Sequence, residues 1–319
     1  VIRSAGLAAA MNVRSLIRRL RTSAQVLSGD PGVVLRLPRF VWRTLKDGPR
    51  ASLDRLRRLS DPLRFSVDYE AWLAEFGTTE SEQEAMQAWA ESLPEPTQIA
   101  VLMPVFNPRP EWLQAAIASV QAQLYPHWQL CIADDCSTDP RIRPLLESAM
   151  ASDPRIKVVF RERNGHICAS SNSALQLVEA PWLALLDHDD LLPADALIWV
   201  AKAIEADPDA RLLYSDEDKI SSDGKLFDPY FKGDWNPLLM EAQNTFSHLG
   251  IYSTELVRRL GGFREGLEGS QDHDLVLRCS EQLQRHQIVH IPRVLYHWRV
   301  HPESTAGGAK AKPYTVKAA

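Results

Sequence analysis

No glycine-rich phosphate loop follows the first apolar run of this chain. Neither GxGxxG nor GxxxxGK[ST] occurs there, and Val101-Leu102-Met103-Pro104-Val105-Phe106-Asn107 stands in that place. A bound nucleotide would therefore have its phosphates neutralised mainly by metal and side chains, not by a nest of backbone amides. Cysteine is scarce: Cys131, Cys136, Cys168 and Cys279 form no CxxC pair and no second cluster that would complete a zinc site. Leu130-Cys131-Ile132 and Leu277-Arg278-Cys279 read as buried, reduced thiols, which fits a cytoplasmic chain. No apolar run approaches the roughly 18–20 residues that a membrane-spanning helix requires. The first residues also lack a secretory apolar core followed by a cleavage site.

Charge is unevenly placed along the 319 residues. Residues 1–64 carry 14 Lys or Arg against 4 Asp or Glu, whereas residues 65–98 carry 8 acids and no Lys or Arg. The net charge of −5 argues against nucleic acid as the main partner. Val13–Leu27 and Phe40–Leu59 read as basic helices, each with a partial apolar stripe among its arginines. Such helices suit either an anionic membrane surface or an arginine-rich face packed on a larger domain. Residues 65–98 read as an acidic helical linker closed by Pro94-Glu95-Pro96. The division expected is residues 1–97 as a helical extension and 98–319 as the main domain.

From Gln98 onward, short apolar runs alternate with helical periodicity. Strands are expected at 99–103, 128–133, 155–160, 182–186 and 212–214, and helices at 110–124, 141–151, 167–178 and 194–206. This βαβ rhythm predicts a mainly parallel sheet flanked by helices, with ligands beyond the carboxyl ends of the strands. Acidic clusters follow three of those strands: Asp134-Asp135, Asp187-His188-Asp189-Asp190 and Asp216-Glu217-Asp218. A single Asp-x-Asp is as readily a solvated turn or a helix cap. Three such clusters at successive strand ends instead imply a cation or hydrogen-bond donors among them. Ser270 reads as the N-cap of a helix reaching Leu283, with Gln271-Asp272-His273-Asp274 in its first turn. Tyr296–Thr305 reads as an irregular segment rich in donors and aromatics, in which Arg299 and His301 together suit a diphosphate.

The order of these motifs resembles that of family 2 glycosyltransferases of the GT-A (Rossmann-like) fold, over roughly residues 98–306. The matching residues are Met103-Pro104-Val105-Phe106-Asn107, Ala133–Asp139, Arg163-Asn164-Gly165, Leu186–Asp190, Gly261-Gly262-Phe263 and Gln271–Leu275. Within that family the chain is similar to bacterial enzymes of O-antigen and other cell-surface polysaccharide assembly, including rhamnosyltransferase-like members. In those relatives the module often continues, so a chain ending at Lys317-Ala318-Ala319 is consistent with a fragment.

The resemblance implies an inverting, metal-dependent transfer of a sugar from a UDP- or dTDP-sugar to a hydroxyl of a glycan or lipid-linked glycan. It places the enzyme in the cytoplasm or on the inner face of the membrane. Pro104, Asn107, Asp134, Asp135, Asn164, Gly165 and Asp187 would hold the nucleotide, and Asp189, with Asp187 and His301, would hold Mg²⁺ or Mn²⁺. Asp272 would be the general base, and Arg299, Gln271 and Trp298 would face the diphosphate or acceptor. Where the family usually shows Glu-Asp, this chain has Gln271-Asp272, so the base would have an uncharged neighbour. A sugar-nucleotide pyrophosphorylase, or a non-catalytic nucleotide-binding subunit, are the alternative functions.

Overall fold

The computed structural model of the chain describes residues 69–301, and the basic segments expected to meet a membrane lie outside them. Two helices come first, α1 (Tyr69–Phe76) and α2 (Glu80–Ser92). Tyr69, Trp72 and Phe76 fall on one face of α1 at helical spacing, and Trp72 reaches Phe231 with ring centroids 4.8 Å apart. Thr79 starts α2 with a capping box. Its hydroxyl accepts from the Glu82 amide at 3.3 Å, and the Glu82 carboxylate accepts from the Thr79 amide at 2.8 Å. Met86 and Ala90 of α2 enter the core. The acidic helices from Tyr69 onward belong to the same compact unit as the sheet, on which they bury their apolar faces.

The remaining elements run β1 (Ile99–Val105), α3 (Pro110–Gln121), β2 (Trp128–Asp134), α4 (Ile142–Ser152), β3 (Ile156–Phe160), α5 (His166–Leu175), β4 (Trp182–Leu185) and α6 (Ala196–Ala206). They continue with β5 (Leu212–Ile220), β6 (Leu226–Tyr230), α7 (Pro237–Ala242), β7 (Gly250–Ser253), α8 (Thr254–Arg259), α9 (Gln271–Ser280) and β8 (Ile288–Arg299). The sheet order is β3-β2-β1-β4-β7-β5-β6, with β8 paired to β5. Strands β3, β2, β1 and β4 are parallel to one another. β7 is antiparallel to both β4 and β5, and β8 runs parallel to β5.

β1 is buried on both faces, as its continuous apolar run requires. Ile99, Val101, Met103 and Val105 pack in one layer with Leu113, Ile117 and Val120 of α3 and Ile198 of α6. Ala100 and Leu102 join the other layer, with Cys168 and Leu175 of α5, Leu256 of α8, and Leu275 and Cys279 of α9. The two-residue period of a strand thus makes a helix–sheet–helix sandwich. It also leaves the carboxyl ends of β1, β2 and β4 facing a common edge.

Two expectations change. Asp216-Glu217-Asp218 does not follow a strand but lies inside β5, which runs on to Ile220 beside β8. All three acids are buried because each has partners. His290 and the Lys232 amide meet Asp216, the Lys232 ammonium meets Glu217, and Tyr69 and His297 meet Asp218. The second change is at Tyr296–Arg299, which is strand and not irregular chain, since β8 extends to Arg299.

Candidate functional site

A cavity of about 830 Å³ opens over the carboxyl ends of β1, β2 and β4. Its lining includes Pro104, Asn107, Asp135, Asn164, Asp187, Asp189, Gln271, Asp272, Trp298 and His301. Residues far apart in sequence therefore converge on one space, of a volume usual for small-molecule sites. Asp134, Gly165 and Arg299 do not line it.

At the β2 end, Asp135 is only 1% exposed and is gripped from two directions. The Arg161 guanidinium pairs with Oδ1, and the Gly165 amide donates to the carboxylate at 3.0 Å. A Cβ on Gly165 would stand 2.7 Å from the Arg161 guanidinium, so only glycine lets that arginine lie against the turn. The Asn164 side-chain amide donates to the Asp135 carbonyl at 3.3 Å. Asp134 serves the backbone: its carbonyl accepts from Arg161 at 2.9 Å and its Oδ1 from the Ser137 amide at 3.3 Å. Asn107, with φ 45°, ties the end of β1 to the loop after β2. Its side-chain oxygen accepts from the amides of Thr138 at 2.8 Å and Asp139 at 3.1 Å.

The acidic loop after β4 is shaped by β8. Leu191 and His297 form an isolated bridge that brings the last residues of β8 beside this loop. Asp190 is 1% exposed, and its two carboxylate oxygens accept from the Tyr296 hydroxyl at 2.6 Å and the Arg299 amide at 2.7 Å. Burial, with the charges of Asp189 and Asp187 beside it, pushes the Asp190 carboxyl well above the ordinary range. With Asp190 turned inward and locked, Asp187 and Asp189 face the cavity. Arg299 is itself 6% exposed and donates from Nε to the Asp189 carbonyl at 2.6 Å. It holds the loop from behind the cavity wall.

His301 Nε2 lies 2.8 Å from Asp189 Oδ2, and its ring packs on Trp112 at 4.6 Å. Burial pushes the Asp189 carboxyl up, but His188 and the His301 contact outweigh it and hold the group below its usual range. Two ligands at neighbouring corners of an octahedron of ~2.1 Å bonds stand ~3 Å apart. The observed contact is a hydrogen bond of similar length, which a cation shared by Asp189 and His301 would replace, and Asp187 lines the same cavity. A second group, Asp187, Asp190 and His248, has its ligand atoms within 4.8 Å of one another. It fits a cation less well, because both Asp190 oxygens already accept hydrogen bonds and His248 is stacked on Tyr296 at 4.4 Å.

Across the cavity, Asp272 and Gln271 begin α9, with Ser270 as N-cap but no hydrogen bond from its side chain. The helix ends at Ser280, short of Leu283. Asp272 Oδ2 accepts from the Asn244 side-chain amide at 2.7 Å, and Gln271 Oε1 accepts from the Gly269 amide at 2.6 Å. Asp274 points elsewhere, pairing with Arg278 at 2.8 Å and Arg264 at 3.3 Å. The Gly261-Gly262-Phe263 motif supports this wall. Gly262, at φ 74°, leaves no room for a Cβ, which would meet Asn172 Oδ1 at 2.4 Å. Asn172 exchanges two hydrogen bonds of 2.8 Å with the Phe263 backbone, and Phe263 reaches the cavity.

Several lining residues carried no sequence assignment. His188 lies inside the acidic motif. Its Nδ1 meets the Pro104 carbonyl at 3.1 Å, which requires the proton on Nδ1 and leaves Nε2 without one in the neutral ring. Arg109 is the one guanidinium or ammonium among the described lining residues, stacked 4.6 Å over Trp112. His248 lines the cavity from a loop whose role no local pattern announces, and Asn244 of the same loop reaches Asp272 without lining the cavity.

A helix-flanked sheet with a cavity over its parallel strand ends is the architecture of the GT-A fold. The chain belongs to glycosyl transferase family 2, whose profile matches residues 100–261. It is 52% identical over 220 residues to the uncharacterized protein y4gI of Sinorhizobium fredii, covering 69% of this chain and 24% of that one. It is 34% identical over 235 residues to the O-antigen biosynthesis protein RfbC of Myxococcus xanthus, covering 73% of this chain and 18% of the relative. The chain thus spans a quarter or less of these curated relatives. Among solved structures it is similar to S. aureus TarS 1–349, with TM-score 0.53 and 21% identity, covering 64% of this chain and 60% of that one. TarS has also been solved in complex with UDP and with UDP-GlcNAc. No helix among the described residues is long and apolar enough to cross a membrane.

Proposed function

We propose that this domain is an inverting, cation-dependent glycosyltransferase that moves a sugar from a nucleoside-diphosphate donor to a hydroxyl of a growing cell-surface polysaccharide. The observation that carries the proposal is the opposition of Asp189–His301 and Asp272 across one cavity. Asp135, held by Arg161 and Gly165, and the neighbouring Asn164 would meet the nucleoside from the cavity wall that they line. Asp187, Asp189 and His301 would hold Mn²⁺ or Mg²⁺. When bound, the cation supplies neutralisation of the diphosphate charge as the leaving group departs. The imidazole in the set favours Mn²⁺ over the harder Mg²⁺.

Asp272 takes the proton of the acceptor hydroxyl as that oxygen attacks the anomeric carbon from the face opposite the diphosphate. A positioned base of this kind contributes about 10²–10⁴-fold. Arg109 is placed to meet phosphate oxygens, a role that the sequence suggested for Arg299. The resemblance to RfbC and to TarS supports a polysaccharide acceptor and a nucleotide-sugar donor. Incubation with a panel of UDP-, dTDP- and GDP-sugars plus Mn²⁺, scored by released nucleoside diphosphate, tests the reading. Release from one nucleotide series that disappears in Asp189→Ala is expected; no release from any donor, with acceptor glycan present, would sink it.

A further inference from the structure

The loop between α7 and β7 is held more firmly than a surface loop requires, and its anchor points at Asp272. Asn244 Nδ2 donates to Asp272 Oδ2 at 2.7 Å, and Asn244 Oδ1 accepts from the Ser247 amide at 3.0 Å. A backbone N–H can only donate, so the oxygen of the Asn244 amide must face Ser247 and its nitrogen must face Asp272. The orientation of the amide is therefore fixed by the chain. Ser247 and His248 are fixed in turn by Glu217, which accepts from the Ser247 hydroxyl at 3.3 Å and the His248 amide at 2.8 Å. Glu217 is paired with Lys232 at 3.2 Å, and both side chains are almost wholly buried. The same ammonium also donates to the Phe246 carbonyl at 2.7 Å and to the His248 carbonyl. Ser247 holds φ 45°, a conformation that persists only where the surroundings impose it.

We propose that Asn244 is a positioning residue for the reaction: it fixes the Asp272 carboxylate through Oδ2 and leaves Oδ1 turned to the acceptor hydroxyl. This rests on Asp272 being the base. A carboxylate on an Asp side chain rotates about two bonds, and proton transfer in the transition state needs one oxygen within hydrogen-bond reach of the attacking hydroxyl. One fixed donor on Oδ2 removes most of that rotation. The neighbouring residue 271 is a glutamine, whose Oε1 is committed to the Gly269 amide. The polar restraint on Asp272 therefore comes from the α7–β7 loop and not from its own helix.

Asn244→Asp separates this role from a purely structural one. It keeps an oxygen for the Ser247 amide but replaces the donor facing Asp272 with an acceptor. Transfer by Asn244→Asp, measured in single turnover with saturating UDP-sugar and acceptor, is expected to fall about tenfold to a hundredfold. The donor KM should stay within about twofold, and Asn244→Ala serves as the second variant if the first melts early. In the Asp272→Asn background the Asn244 change should cost nothing further, because the group it positions is gone. Near-normal transfer by a folded Asn244→Asp, with Asp272→Asn reduced to a residual rate, overturns this inference and leaves Asp272 as the base. Fully additive losses also overturn it, since they mark a structural residue. Normal transfer by Asp272→Asn overturns the base itself and this inference with it.

Discussion

Cys131, Cys168 and Cys279 lie in the apolar layer on one face of the sheet, and burial pushes each thiol up to about 12. The thiolate is the reactive form, so these groups stay protonated and inert at neutral pH. Cys136 is different: it sits at φ 63° in the loop after β2 and is only half-buried. Titration with a thiol reagent at pH 8 should therefore modify one thiol rapidly in the folded protein and four after denaturation. Rapid native labelling of two or more would contradict the packing around α5 and α9. The short apolar runs made Cys131 and Cys279 legible as buried thiols. At the site, motif order singled out Asp189, Asp272 and Asn164, and the fold brings all three to one cavity. Asn244 was not legible, since its role comes from a contact 28 residues away. Asp134 and Arg299 show the opposite limit. Their residue types suit a site, but only the fold reveals that the backbone has already claimed them.

Among the elements, the parallel strands could be read from their short apolar runs, and β1 and β2 most clearly because both of their faces are buried. Ile99–Val105 and Trp128–Asp134 are accordingly continuous apolar runs between helical periods. The other half of the sheet gives no such signal. β7 is four residues long, β6 contains Pro229, and β8 carries Pro292 and two register shifts against β5. Polar residues inside β5 hid its length, since an acidic run is ordinarily a strand end. Their burial works because neighbouring elements supply partners, and α1 is one of them. The Tyr69 hydroxyl donates to Asp218 Oδ2 at 2.7 Å, and His297 meets the other oxygen at 2.5 Å. Burial and the Asp218 charge raise the Tyr69 phenol, so it remains a donor throughout the working pH range. Tyr69→Phe keeps the ring stacked on Trp72 at 5.6 Å but leaves a buried carboxylate oxygen without its donor. A loss of about 1–3 kcal/mol is expected, or a fall in Tm of roughly 2–10 °C for a unit of this size. Nucleotide affinity should not change. An unaltered Tm in calorimetry would show that α1 is held by its aromatic face alone.

At the scale of the whole domain, the cavity draws on both halves of the sheet. The ends of β1, β2 and β4 supply one side, while β8 supplies the lock on the acidic loop and the chain just after it supplies His301. A ligand that bridges them should therefore stabilise the folded state as a unit, by RT ln(1 + [L]/Kd). At a hundredfold excess over Kd this is about 2.7 kcal/mol. For a domain of this length it corresponds to a rise in Tm of roughly 5–10 °C. The cation and the nucleotide should act together. A diphosphate alone would bring its charge next to Asp187 and Asp189, and two carboxylates repel it unless a cation lies between. Mn²⁺ alone would find two carboxylates and one imidazole, but would lack the phosphate oxygens that complete its shell. Thermal melts are expected to show a small shift with Mn²⁺, little with UDP or dTDP in EDTA, and the full shift only with both. Asp189→Ala should abolish the joint effect, and His301→Ala should reduce it while leaving the unliganded Tm within a few degrees. The outcome that would refute a shared cation site is a full nucleotide-induced shift in EDTA. In that case Arg109 and the histidines lining the cavity, not a metal, would carry the charge of the diphosphate.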